Sequence, residues 1–280
     1  MTTPLLFDAA ALALHRRRAA RAPADFLLRH VVADMADRLA AVLRPFRKAA
    51  EIGALSPLLA EAIRPGFDGD YRRVEGLEDE VLPLAPESID LALSALSLQF
   101  VNDLPGMLSQ IRRALKPDGL LLAAMVGGAT LTELREAFSA AELEIEGGVS
   151  PRVAPFADVR DMGGLLQRAG FALPVADSDT LTVRYDHAFA LMADLRAMGA
   201  TNAMAQRRKG FTRRATLLRM AEIYRERFSD PDGRVRATFE IIWISGWAPH
   251  ESQQKPLKPG SATTRLADAL GTKEHGPDGQ

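Results

Sequence analysis

Two apolar runs of strand length, SIDLALSAL (88–96) and LLLAAM (120–125), enclose a stretch with helical spacing (104–115) and the tetrapeptide KPDG (116–119). A strand that is apolar at nearly every position has to be buried on both faces, as a strand inside a parallel sheet is. Pro117 and Gly119 stop the helix and turn the chain into the second run. The same alternation continues on both sides. KAAEI (48–52) reads as a short strand, and Ser56 caps a helix over 57–63 that has proline at its first position, where a missing N–H costs nothing. Further helices are expected at 131–144 and 157–169. This order predicts an α/β fold, a doubly wound, mostly parallel sheet of Rossmann-like type with its ligand-binding loops at the carboxyl ends of the strands.

The flanks obey other periods. Leu27, Val31, Met35, Leu39 and Val42 recur at helical spacing behind Pro23, which predicts helical structure before the first strand. Beyond Gly170 the expectations are an extended run (173–183), helices (187–198 and 212–228) and a long strand (236–248) that carries both tryptophans and closes the sheet edge. The organisation read from this is an N-terminal helical segment (1–45), a main domain (46–260) with a helical insertion (184–234) placed to act as a lid, and a polar tail (261–280).

Composition limits the chemistry. The 280 residues are 47% apolar and 25% charged with a formal net charge of −1, which suits one soluble domain with insertions. With no cysteine, a disulfide, a thiolate nucleophile and a sulfur metal ligand are all excluded. No apolar run approaches the roughly 20 residues of a membrane span, so a cytoplasmic chain is expected. The basic clusters HRRRAAR (15–21) and QRRKGFTRR (206–214) read as solvated helix faces or as a surface for an acidic protein partner. They lack the interleaved aromatics and the excess positive charge of a nucleic-acid footprint. The five histidines, His15, His30, His187, His250 and His275, form no His-x-Asp or His-x-Glu pair, so no metal site is expected.

Three stretches fall at the expected carboxyl ends. The first is EIGALSP (51–57), and the second is SLQFVNDLPG (97–106), with Ser97, Gln99 and Asn102 as candidate contacts and Asp103 as the N-cap of the next helix. The third is a pair of Gly-Gly steps around one helix. Gly127 and Gly128 could let backbone approach a ligand or a closing lid, and Arg135 and Arg152 flank that lid as possible partners for acidic groups of a substrate.

The stretch from PLAPESIDLALSALSLQFVNDLPGMLSQIRRALKPDGLLLAAMVGG onward resembles the class I S-adenosylmethionine-dependent methyltransferases of the biotin-synthesis malonyl carrier-protein O-methyltransferase type. The segments GGATLTELREAF, EIEGGVSPRVAPFADVRDMGGLLQRAGF, LMADLRAMGATNA and IIWISGWAPHESQ resemble more closely the assembly factor 5 family of NADH:ubiquinone oxidoreductase. That resemblance implies S-adenosyl-L-methionine as cofactor, a core subunit of respiratory complex I as protein partner, a cytoplasmic place peripheral to the inner membrane, and modification of an arginine by hydroxylation. The alternatives are methylation of a carboxylate on a carrier-linked substrate, and a non-catalytic assembly chaperone whose cofactor site has degenerated. Gln99 and Phe100 depart from the His-Trp pair common in relatives.

The resemblance also assigns residues. Glu51 and Gly53 match the acidic residue and the first glycine of the cofactor turn, which continues through Ala54, while Leu55, Ser56 and Pro57 replace its flexible remainder. Glu75, at the end of YRRVE, stands where an acid grips the ribose hydroxyls. Between Ile63 and Ser88 the chain is too short for the two strands and the helix usual there. Either YRRVE is the second strand, or it is the third and Glu78, Asp79 and Glu80 take the adenine-side position. Ser97 completes the expected cofactor set.

Overall fold

The computed structural model describes residues 5–77, 79–254, 268 and 271–272. Six strands, β1 (Lys48–Ile52), β2 (Asp70–Val74), β3 (Ile89–Ala95), β4 (Leu115–Val126), β5 (Ala172–Tyr185) and β6 (Val235–Trp247), form one sheet of order β2-β1-β3-β4-β6-β5. The pairs β1/β2, β1/β3 and β3/β4 are parallel, while β6 runs antiparallel to both β4 and β5. The eight helices described are α1 (Ala9–Ala19), α2 (Phe26–Ala40), α3 (Leu58–Ile63), α4 (Leu104–Ala114), α5 (Thr132–Glu146), α6 (Val159–Arg168), α7 (Ala188–Ala197) and α8 (Arg214–Phe228).

The apolar strands are explained by two cores, one on each face of the sheet. Leu91, Leu93, Leu120 and Leu122 join α2, α3, α5, α7 and α8 in the first, whereas Ala92, Leu121 and Met125 join α4 and α6 in the second. Successive strand residues point to opposite faces, so a run buried on both has no polar position to spare. The KPDG turn is a bulge. Ile89 stands opposite Leu115 but Leu91 opposite Leu120, and the extra residues are folded out with Asp118 at φ 62°. The bulge is tied down where the Asp118 N–H donates to the Ala248 carbonyl (3.0 Å) and the Ala248 N–H to that of Gly119 (2.8 Å).

One expectation is corrected and one pair of alternatives is resolved. The tryptophan strand does not close the sheet edge: β6 lies between β4 and β5, because Trp243 and Ile241 fill one core while Ile242 and Ile244 fill the other. The edge goes to β5, whose residues are mostly half-buried or exposed. On the other side YRRVE is the second strand and not the third, since β2 pairs directly with β1 in the register Glu51↔Arg73. Among the described residues no strand lies beyond β2, so one strand-helix unit of the fold's usual plan is missing there. Helices α7 and α8 lie between β5 and β6.

Residues up to Pro249 make one compact unit and His250–Gln280 a second. In the second, a turn is closed by the Gln253 N–H on the His250 carbonyl (3.2 Å). Of the expected tail only 268 and 271–272 are described. Among the described residues no helix is long and apolar enough to cross a membrane.

Candidate active site

The chain leaves β1 to one side for β2 and returns to the other side for β3. That reversal opens a crevice at the carboxyl ends of the strands, where this class of sheet binds its ligands. A cavity of about 290 Å³ lies there. Its floor is Ala54, Leu55 and Ser56 after β1, Gly76 after β2, Leu96, Gln99 and Phe100 after β3, and Val126, Thr130 and Leu131 after β4. Its roof comes from α1 and the corner that follows (Arg16, Ala19, Ala20, Pro23) and from the end of α7 (Ala197 to Ala200).

The turn after β1 is fixed by contacts inside the protein. Gly53 has φ +70°, and a Cβ there would lie 2.6 Å from the Ser97 Cβ and 2.9 Å from a Leu77 methyl. The Ser97 hydroxyl donates to the Gly53 carbonyl, the Ala54 N–H to that of Val74 (3.0 Å) and the Ser94 hydroxyl to that of Ile52 (2.8 Å). Only glycine allows this approach of β1 to the end of β3.

Gln99 is the polar group that this wall leaves unmatched. It is 8% exposed, its Nε2 donates to the Leu96 carbonyl (2.8 Å), and its Oε1 has no hydrogen-bond partner. The bond to Leu96 fixes which end of the amide is which. An acceptor buried without a donor costs about 1–3 kcal/mol. The charged walls among the described residues are Arg16, whose guanidinium carbon stands 5.9 Å from the Phe100 ring centre, and Asp25. Asp25 pairs with Arg29 (2.7 Å), which holds its carboxyl below the ordinary value.

The other expected site residues are distributed differently. Glu51 is no wall of the cavity: buried under β2, it accepts from the Tyr71 hydroxyl (3.2 Å) and Arg73 Nε (3.3 Å), and burial pushes its carboxyl above the ordinary value. Glu75 is exposed next to Gly76 and pairs with Arg73 (3.3 Å). Asp79 is exposed, Glu78 lies outside the described residues, and the Glu80 carboxylate accepts from the N–H groups of Asn102 (2.6 Å) and Asp103 (2.8 Å). Asn102 clamps the N-terminal segment, accepting from the Phe7 N–H (2.8 Å) and donating to its carbonyl (3.3 Å). Asp103 caps α4 through Gly106 (2.9 Å).

Gly127 and Gly128 form a turn held from β6. The Gly127 N–H donates to the Glu240 carbonyl and the Ala129 N–H to its carboxylate, both at 2.9 Å. Arg135 braces this turn by donating to the carbonyls of Gly128 and Thr130, both at 3.3 Å. Arg152 lies half-buried against Glu142 and donates to the Thr212 hydroxyl (2.9 Å). Neither guanidinium lines the cavity, because each already serves its own surroundings. What sequence reasoning missed is the roof. The HRRRAAR cluster carries it on the small residues Ala19 and Ala20, a face that the run of arginines conceals.

This sheet, with the cavity at its reversal point, is the architecture of a class I methyltransferase. A family model described as a methyltransferase domain matches residues 60–123, and a Bacillus halodurans chain described as a methyltransferase superposes with a TM-score of 0.51. That superposition covers 78% of this chain and 99% of the other at 14% identity, a likeness of fold. The chain belongs to the NDUFAF5 family. It is 40% identical over 263 residues to the mitochondrial arginine-hydroxylase NDUFAF5 of Danio rerio, covering 87% of this chain and 82% of that one. The Dictyostelium discoideum member is 44% identical over 204 residues, and the match spans 47% of its length. The malonyl-[acyl-carrier protein] O-methyltransferase of Laribacter hongkongensis is 40% identical over 181 residues, 65% of this chain and 58% of that one.

Proposed function

We propose that this chain binds S-adenosylmethionine in the cavity and modifies an arginine of a protein substrate, a core subunit of respiratory complex I, in the cytoplasm. The observation that carries the reading is the cavity's position: the turn after β1 and Gly76 after β2 are two of its walls. Ala54, Leu55 and Ser56 would hold the cofactor with their backbone, and Glu75 would accept from its ribose hydroxyls. The bound group supplies a sulfonium-activated carbon. The chain's own part is to exclude water, which the apolar walls and the roof of α1 and α7 do, and to orient the target side chain. The relatives' name specifies hydroxylation, which inserts an oxygen and would need an oxygen source and a two-electron oxidant, such as dioxygen with a reductant, in addition to the cofactor, since a sulfonium carbon supplies neither. No residue of the chain is assigned a catalytic role.

The test is a strain lacking the gene, complemented with wild type or Glu75→Ala, combined with calorimetric titration of both proteins. Expected are micromolar binding of S-adenosylmethionine by wild type, at least tenfold weaker binding by Glu75→Ala, and a core-subunit arginine modified only with wild type. Biotin auxotrophy of the deletion strain would move the assignment to a carrier-linked carboxylate. A folded wild type that binds no cofactor yet restores complex I would make it a chaperone.

A further inference from the structure

We infer that the basic clusters at 15–21 and 206–214 form one surface on the outside of the cavity's roof, and that this surface receives an acidic face of the protein whose side chain enters the cavity. This deepens the protein-substrate reading above and rests on it. The two clusters are far apart in the chain, yet the structure joins them. The Ala205 N–H donates to the Leu6 carbonyl (2.8 Å), the Asp8 N–H to that of Ala203 (2.8 Å), and Arg207 pairs with the Asp8 carboxylate (3.0 Å). Gly199 lets the end of α7 pack on α1, since a Cβ there would stand 3.3 Å from the Arg16 Cα. His15 faces both clusters: burial, together with the charges of Arg207 and Arg18, holds its imidazole below the ordinary value.

Cations outnumber their partners on this surface. Asp8 takes Arg207 and Glu146 takes Arg208. Arg17, Arg18, Arg21, Lys209, Arg213 and Arg214 are exposed and enter no ion pair among the described residues. Arg17 and Arg18 share the outer face of α1 with Leu14, three and four residues before them, and Arg21 is exposed in the turn that follows. Phe211 is wholly exposed between Lys209 and Arg213. Arginines around an exposed aromatic are the make-up of interface anchors. In a chain of formal net charge −1, this concentration is a local segregation of charge and not a by-product of the total.

The position selects the partner. Like charges on one surface repel, and an opposing acidic face relieves that repulsion and speeds encounter. An anionic bilayer would offer the same charge, but it has no side chain to place under the roof that α1 and the end of α7 make. A protein with carboxylates beside its target arginine does both. Its carboxylates meet the roof from outside while the target side chain enters beneath it, and they offset the repulsion between the target's own guanidinium and the surface cations.

The experiment titrates the core subunit whose arginine goes unmodified in the deletion strain with each purified protein, without lipid and across a salt series. The proteins are wild type, Arg17→Glu/Arg18→Glu/Arg21→Glu, Arg17→Lys/Arg18→Lys/Arg21→Lys and Lys209→Glu/Arg214→Glu, each first shown to melt and to bind S-adenosylmethionine like wild type. Each reversal should weaken binding of the subunit roughly tenfold or more at low salt, the lysine variant should stay within about threefold, and salt should weaken wild type far more than either reversal. An affinity unchanged in either reversal, or unchanged by salt, would overturn the joint surface while leaving the function above intact. Loss of binding to phosphatidylglycerol vesicles in the reversals, with subunit affinity unchanged, would give the surface to a membrane and equally overturn the proposal. A deletion strain in which no core-subunit arginine loses its modification would overturn the function above, and this partner with it.

Discussion

Two buried carboxylates, Glu51 and Glu142, each face an arginine and fare oppositely. Glu142, on α5, is 2% exposed and accepts from the Ser150 N–H (2.6 Å), the Ser150 hydroxyl (2.7 Å) and Arg152 Nε (2.7 Å). Burial alone would push its carboxyl up, but Ser150 and Arg152 outweigh burial and hold it below the ordinary value. Glu51, on β1, is 4% exposed and has two longer bonds, to Tyr71 and Arg73, and burial prevails. The difference follows from what covers each. Glu142 lies between α5 and the following loop, whose Arg152 also reaches Thr212 and stacks on Phe138 at 5.0 Å. Glu51 is covered by the side chains of β2, an edge strand, on the side where a strand and a helix are missing. The half of the molecule that carries α7 and α8 is closed by matched charges, and the half that carries the turn after β1 is thin.

The largest test of that contrast is Arg152→Met. It would leave Glu142 buried with only Ser150 to donate, and breaking a buried pair from one side costs about 3–5 kcal/mol. With Ser150 retained we expect about 3 kcal/mol in urea unfolding, most of it recovered in the double variant with Glu142→Gln. A loss under about 1 kcal/mol would show that the pair is not what closes this half.

Gly53→Ala comes next. The left-handed backbone and the Ser97 and Leu77 contacts predict a loss of about 2 kcal/mol with no ligand present. A variant as stable as wild type but unable to bind S-adenosylmethionine would mean that the glycine serves only the ligand, and the account of this turn as fixed by internal packing would fail.

The parts legible in the sequence are those with local causes. The runs 88–96 and 120–125 read as buried strands because each residue of them meets one core or the other. KPDG reads as a turn because Pro117 and Gly119 leave little else, and Asp103 reads as a cap because its partner Gly106 is three residues on. What was not legible depends on distant partners. Whether YRRVE lies beside β1 is a matter of sheet order, which spacing leaves open. That Asn102 holds Phe7, that Arg152 is already committed to Glu142, and that α1 roofs the cavity are pairings between remote segments. The sequence pointed to the floor of the site and not to its roof.

The smallest effect separates the two carboxylates most sharply. A carboxyl held above its ordinary value in the folded state binds more protons folded than unfolded as pH rises through the window from about 4.5 upward, so Glu51 costs stability with rising pH. Glu142 is held below its ordinary value, so its contribution is present above that value and is lost as pH falls through its folded pKa. Glu51→Gln should be within about 1 kcal/mol of wild type at neutral pH, because Arg73 keeps Glu75 as a partner at 3.3 Å. Lowering the pH toward about 4 should then favour wild type over Glu51→Gln. Relative to Glu142→Gln, wild type should lose its advantage only as pH falls below about 4.5 and through the lowered folded pKa of Glu142. Urea midpoints for the three proteins, from about pH 8 down to about pH 2.5, would show two differences of opposite slope. Parallel slopes would mean that β2 covers Glu51 as well as the loop covers Glu142, and that the missing strand leaves no electrostatic trace beside the turn after β1.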